Sequence, residues 1–237
     1  MNKKNLALIL VPLLLATACT STAQPQIQTG NEAEVTFDGL KRVDNTIMDS
    51  VRARPDIDLR GIDKLIFVPI GVSYRDVEPS DPTTALRRST RSRETELREF
   101  QLDEETKALF EAEIGAVFAE EVSASKVYTI VEEPGPDVIA VGVALLDVVS
   151  RVPPQAQSQP RVFIEMVGEA TLVLEIRGSM SNTVYLRAVD RRAAAQQSQM
   201  IESNRVTNAA EIRRLGRRWG QITREGLEFL LINGISH

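Results

Sequence analysis

Cysteine and histidine are almost missing from this chain. Its 237 residues hold one of each, Cys19 near the start and His237 at the end. One thiol forms no internal disulfide, and one Cys with one His supplies too few ligands for a zinc site or a Cys-His dyad. Aromatics make up 5% of residues, with a single Trp. No apolar run approaches the roughly 20 residues that cross a bilayer as a helix. The net charge is -5, which argues against general nucleic-acid binding. There is no Walker-type phosphate loop and no dinucleotide fingerprint. Beyond residue 18 the lysines are Lys41, Lys64, Lys107 and Lys126, and none sits in a Ser-x-x-Lys pattern. The expectation is a chain with no cofactor and no metal, and not an enzyme.

What is present begins with an address. Lys3 and Lys4 precede an apolar run at residues 6–15, interrupted only by Pro12. Charge, short apolar core and small residues describe a secretory signal peptide. Leu15, Ala16, Thr17, Ala18 and Cys19 close it. This segment resembles the lipobox of bacterial lipoproteins, with Ala16 where that box prefers Leu. The resemblance implies lipidation of Cys19 and attachment to the membrane. Thr20 stands where an Asp would imply inner-membrane retention, so the implied address is the outer membrane, facing the periplasm. The expected organisation is signal peptide 1–18, flexible tether 19–35 and one periplasmic domain 36–235. An extended tether of about 15 residues would reach roughly 50 Å.

Alternation and β-branched content predict strands at 64–72, 126–132, 138–149, 162–177 and 183–190. Pro69 suggests an edge or a bulge in the first. The 138–149 stretch is apolar on both faces and reads as a central strand covered on both sides. In 162–177, Gly168, Ala170, Leu172, Leu174 and Ile176 share one parity, and Glu165, Glu169 and Glu175 share the other. A five-residue turn at 178–182 makes a hairpin with the strand that follows. Helical spacing follows Asp103, a candidate N-cap, through Leu109, Phe110, Ile114, Val117, Phe118 and Val122. A second helical stripe runs through Ile212, Leu215, Trp219, Ile222 and Phe229 or Leu230. The class is α+β: a mostly antiparallel sheet of about five strands packed with two main helices.

Candidate chemistry is sparse, and each candidate has an ordinary reading. Glu165 and Glu169 stand about 13 Å apart along a strand, too far for a hydrolytic carboxylate pair. A solvated sheet face accounts for them. Asp147 and Asp190 end apolar strands, with Arg191 and Arg192 beside the latter, which suits structural ion pairs. Two Arg-rich patches are candidate partner-binding surfaces, one with Arg87, Arg88, Arg91, Arg93 and Arg98, the other with Arg213, Arg214, Arg217, Arg218 and Arg224. Like charges at i,i+4 repel, so acids of the fold or an anionic partner must answer them.

From residue 37 to 231 the chain resembles a family of bacterial lipoproteins known only as a domain of unknown function, DUF3313. The carriers are residues 54–59 running into 63–70, Tyr128 to Val138 around Pro134-Gly135-Pro136, the strand ending at Asp147, Gly168-Glu169-Ala170, Val189-Asp190-Arg191 and Trp219. The resemblance implies no catalytic residues. Three functions follow as expectations. The first is a non-enzymatic envelope interaction module with a protein partner. The second is a small-molecule or lipid-binding module, which requires an apolar pocket of roughly 300 Å³ or more over one of the two longest strands. The third is a carboxylate-dependent envelope hydrolase.

Overall fold

The computed structural model describes residues 23–30, 33–77, 99–153, 163–194 and 201–236. Within them the chain runs β1 (Gln26–Ile27), β2 (Lys41–Asp44), β3 (Ser50–Ala53), β4 (Lys64–Tyr74), α1 (Glu104–Ser123), β5 (Thr129–Ile130), β6 (Val138–Ser150), β7 (Phe163–Ile164), β8 (Gly168–Gly178), β9 (Val184–Ala194), β10 (Ile201–Glu202) and α2 (Arg205–Asn233). Eight strands form one sheet in the order β1-β2-β3-β9-β8-β6-β4-β5, and β7 pairs with β10 apart from it. The α+β class and the two helices stand. The expected five strands become eight in the main sheet, and the sheet is mixed. β4 runs parallel to β5 and β6, and the other pairings are antiparallel.

The alternating strand sequence becomes alternating burial. Along β8, Ala170, Leu172, Leu174 and Ile176 are buried, while Glu169, Thr171, Val173 and Glu175 are half-buried on the opposite face. Five residues, 179–183, then lead into β9. In β6 the residues facing away from the helices are the small Ala140, Gly142 and Ala144, which are half-buried. Among the described residues no helix covers that face, so the expected cover on both sides is not found there. The register of β4 against β6 shifts between Val68 and Gly71, across Pro69. Proline lacks the N–H that a regular ladder would need.

Other expectations shift. The strand expected at 126–132 shrinks to β5. The strand expected at 162–177 breaks at 165–167, which leaves Glu165 exposed in the break. Gln26 and Ile27, expected in the tether, form β1 against β2, and Ile27 is 2% exposed. The segment 1–18, Cys19, and Arg87, Arg88, Arg91, Arg93 and Arg98 lie outside the described residues.

Both helices lie on one face of the sheet. Asp103 caps α1, its side chain accepting from the Thr106 N–H at 2.7 Å. Asn204 caps α2, accepting from the N–H groups of Val206 and Thr207, while the Thr207 hydroxyl accepts from the Asn204 N–H. Such reciprocal caps satisfy donors that the first helical turn leaves free. α2 has 29 residues, so it is about 43 Å long. Its first half lies against α1 at two glycines. A Cβ on Gly216 would sit 2.6 Å from Val117 Cγ2, and one on Gly220 would sit 2.7 Å from Glu121 Cβ. Phe118, Ile114 and Trp219 fill the seam, each 0–1% exposed. The Trp219 indole N–H donates to Asp190 at 2.7 Å, and Arg192 pairs with the same carboxylate at 2.5 Å. This tie pins α2 to β9. Among the described residues no helix is long and apolar enough to cross a membrane.

Candidate functional site

Past Gly220, α2 leaves α1 behind, and among the described residues no other helix lies beside it. The strands beneath it there are short or lined with small residues. β3 has four residues and presents Val51, and β9 presents Ala188. A cavity of about 750 Å³ opens between them. Leu174, Ile176, Leu186 and Ala188 form the floor, and Ile222, Leu227, Phe229 and Leu230 form the roof. The turn between β2 and β3 makes one wall through Asn45, Ile47 and Met48, and Ala23, Gln24 and Pro25 make another. Asn45 Nδ2 donates to the Gln24 carbonyl at 3.2 Å and ties the two walls together.

The lining is apolar with few polar points. Among the described residues Glu225 is its only charged one, and it is exposed at the rim, where its carboxylate accepts from Gln221 Nε2 at 2.8 Å. Thr223 is 1% exposed, and its Oγ1 is buried without a hydrogen-bond partner among the described residues. Gly226 lies at the rim, and a Cβ added there meets no atom within 4 Å. Volumes of about 300–1,000 Å³ with apolar walls and a few polar points are typical of small-molecule sites.

The candidate charged residues from the sequence that are described fall elsewhere. Asp147 sits in a bulge of β6, with φ at 58°. Asp tolerates that left-handed conformation better than most residues. Arg75 binds both of its oxygens, and Arg191 reaches it at 3.2 Å. Arg75 also pairs with Glu99, while Arg151 and Arg191 pair with Glu169 at 2.8 and 3.1 Å. Among the described residues three arginines and three acids balance, which marks an electrostatic brace rather than a ligand site. The bond from Arg75, with Arg191 beside it, holds the Asp147 carboxyl below its ordinary range. Burial alone would raise Glu169, but its bonds to Arg151 and Arg191 outweigh it and lower the carboxyl. Glu175 behaves likewise, held by Arg187 at 2.6 Å and by Arg177. Glu165 joins neither brace.

On α2, Arg213 pairs with Glu113 of α1 at 2.9 Å, and Arg214 pairs with the buried Glu211. Arg217 and Arg218 are exposed and have no acidic partner among the described residues. Also among these residues, no group of three or more His, Cys, Asp or Glu side chains could hold a metal ion. Sequence reasoning reached Ile222, Leu230 and the floor of β8, but as core. It missed the rim, Gly226 and the paired glycines of α2, whose four-residue spacing was the available signal.

No curated protein matches the chain. Among solved structures it is similar to the PelC dodecamer from Paraburkholderia phytofirmans, at 9% identity over 73% of this chain and 96% of that one, with a TM-score of 0.33. It is similar to the hypothetical protein CT253 from Chlamydia trachomatis, at 9% identity over 70% and 96%, with a TM-score of 0.37. It is also similar to protein XCC0632 from Xanthomonas campestris, a DUF330 protein, at 8% identity over 75% and 88%, with a TM-score of 0.35. The model of a protein family of unknown function, DUF3313, matches residues 33–222, and the chain belongs to that family.

Proposed function

We propose that this protein is a non-enzymatic binding module that holds a small apolar molecule between its sheet and α2. In this reading it is attached to the outer membrane through a lipidated Cys19 and faces the periplasm. The observation that carries the reading is the 750 Å³ cavity with apolar floor and roof. It exceeds the roughly 300 Å³ that ligand sites need, and it lies over β8, which falls within the 162–177 stretch where such a pocket was expected. Among the described lining residues the one acid is the exposed Glu225, which by itself makes no carboxylate pair of the kind hydrolysis uses.

Titration with N-phenyl-1-naphthylamine, a dye that brightens in apolar sites, tests the reading. Wild type should bind saturably with one site, and Gly226→Trp should weaken binding at least tenfold by filling the mouth. Absent binding, or equal binding by both proteins, would refute it. The anchor has its own test: Cys19→Ala should move the chain from the membrane to the soluble fraction.

A second reading has one observation behind it. The unanswered guanidinium groups of Arg217 and Arg218 suit an acidic envelope protein docked along the first half of α2. Arg217→Glu should abolish any crosslinked complex formed there.

A further inference from the structure

We propose that the occupant of the cavity is an acyl chain of a glycerophospholipid, taken from the membrane in which the chain is anchored. This rests on the cavity being a binding site and on the lipidation of Cys19, and it names the ligand class and its source. The first argument is reach. Ala23, Gln24 and Pro25 are part of the cavity wall. They are fixed there by the Asn45 bond to the Gln24 carbonyl. The next two residues are β1, held by β2 on one side and by the Ser236 carbonyl on the other. Four peptide steps separate Cys19 from Ala23 and span at most about 14 Å. An acylated Cys19 therefore keeps this wall within about 14 Å of the lipid anchor. A cavity tethered that close to a bilayer meets lipid at a far higher local concentration than a dilute periplasmic solute.

The second argument is chemistry. Ile47 stands at the mouth with 64% of its surface exposed, and the floor and roof carry no charge. A lipid places its chain in such a space and keeps its headgroup outside. A charged soluble ligand would find no buried counter-charge, and an unpaired buried charge is costly. Thr223 supplies the polar contact a lipid needs. It lines the cavity, and its Oγ1 has no partner among the described residues, which leaves a hydroxyl that an ester carbonyl can accept from.

The test uses the full lipidated chain, purified from membranes and placed in phosphatidylethanolamine–phosphatidylglycerol vesicles. The vesicles carry a trace of phospholipid with a diazirine on its acyl chain. After illumination, mass spectrometry maps the labelled peptides. The expected result is labelling within residues 174–188 and 222–230, reduced at least fivefold by Gly226→Trp or by Ala188→Leu. Equal labelling of wild type and both variants would overturn the proposal. So would no labelling of these peptides while N-phenyl-1-naphthylamine still binds, which leaves the cavity as a site for another apolar molecule. Loss of both signals would refute the binding module itself.

Discussion

The two halves of α2 solve the same packing problem in opposite ways. The first half has α1 beside it, and Gly216 and Gly220 let the two backbones close together. Trp219 and Phe118 are then fully buried beside them. Among the described residues the second half has no helical neighbour, and it lies over Ala188 and a four-residue strand, so the space beneath it stays open. One helix thus carries a dry, locked region and a hollow one. Glycine occurs in both halves and does different work in each. In the locked half its missing Cβ is a steric requirement. In the hollow half Gly226 faces open space. Function is more readily placed in the hollow half, because filled cores of native density leave no room for a ligand.

The most severe way to break the locked half is Trp219→Ala. It removes the largest fully buried side chain and strands the Asp190 carboxylate, which would keep only Arg192. Cavity formation at such a site costs about 3–5 kcal/mol. Chemical denaturation should show that loss. Trp219→Phe restores most of the volume but not the indole N–H, and should lose a smaller part, about 1–3 kcal/mol.

Next in size is Gly220→Ala. The new Cβ would approach Glu121 Cβ to 2.7 Å and the Phe118 carbonyl to 3.2 Å, so α1 and α2 must separate. Such overpacking costs about 1–3 kcal/mol, and this outweighs alanine's better helix propensity. A denaturation midpoint at or above the wild-type value would show that the seam is looser than its geometry implies.

The sequence was legible where a strict period met a single environment. The β8–β9 hairpin has period two, one wet face and one buried face, and its burial follows letter by letter. Asp103 marked its helix start because a cap is a local hydrogen bond. Pro69 marked a register shift because a missing N–H is a local fact. β2 and β3 were not legible. They are four residues long, carry Lys41, Arg42, Asp44 and Arg52, and gain their strand character only from pairing with β9 and each other. The brace around Asp147 draws on Arg75, Glu99, Arg151, Glu169 and Arg191, so no local pattern could announce it. The cavity was least legible of all. It is the difference between what facing elements supply and what the space needs, and no single segment encodes a difference.

Acid probes the face behind both halves. Asp147 and Glu169 lie in one brace, and Glu175 is held by Arg187 and Arg177 in another. All three carboxyls titrate below their ordinary values of 3.8 for Asp and 4.5 for Glu. A lowered folded pKa means the unfolded chain binds protons first as pH falls. Their stabilisation is therefore complete above about pH 4.5 and is lost as pH drops through the folded values. Thermal melts should show a falling midpoint below pH 4.5, and Glu175→Gln should flatten part of that slope. An unchanged slope would place the stabilising proton linkage elsewhere.

The smallest effect gives the sharpest comparison. Gly226→Ala makes on the hollow half the same substitution that Gly220→Ala makes on the locked half. The added Cβ meets no atom within 4 Å, and the residue is exposed in the helix. Only backbone propensity then changes, and replacing a mid-helix glycine with alanine is worth about 0.5–1 kcal/mol in favour of the fold. The two variants should therefore move the unfolding midpoint in opposite directions, though they sit six positions apart on one helix. A methyl group is too small to close the mouth, so N-phenyl-1-naphthylamine should still bind the alanine variant, whereas Gly226→Trp should not. If Gly226→Ala destabilises instead, the second half of α2 has a neighbour pressed against its rim, and the cavity is closed in the folded protein.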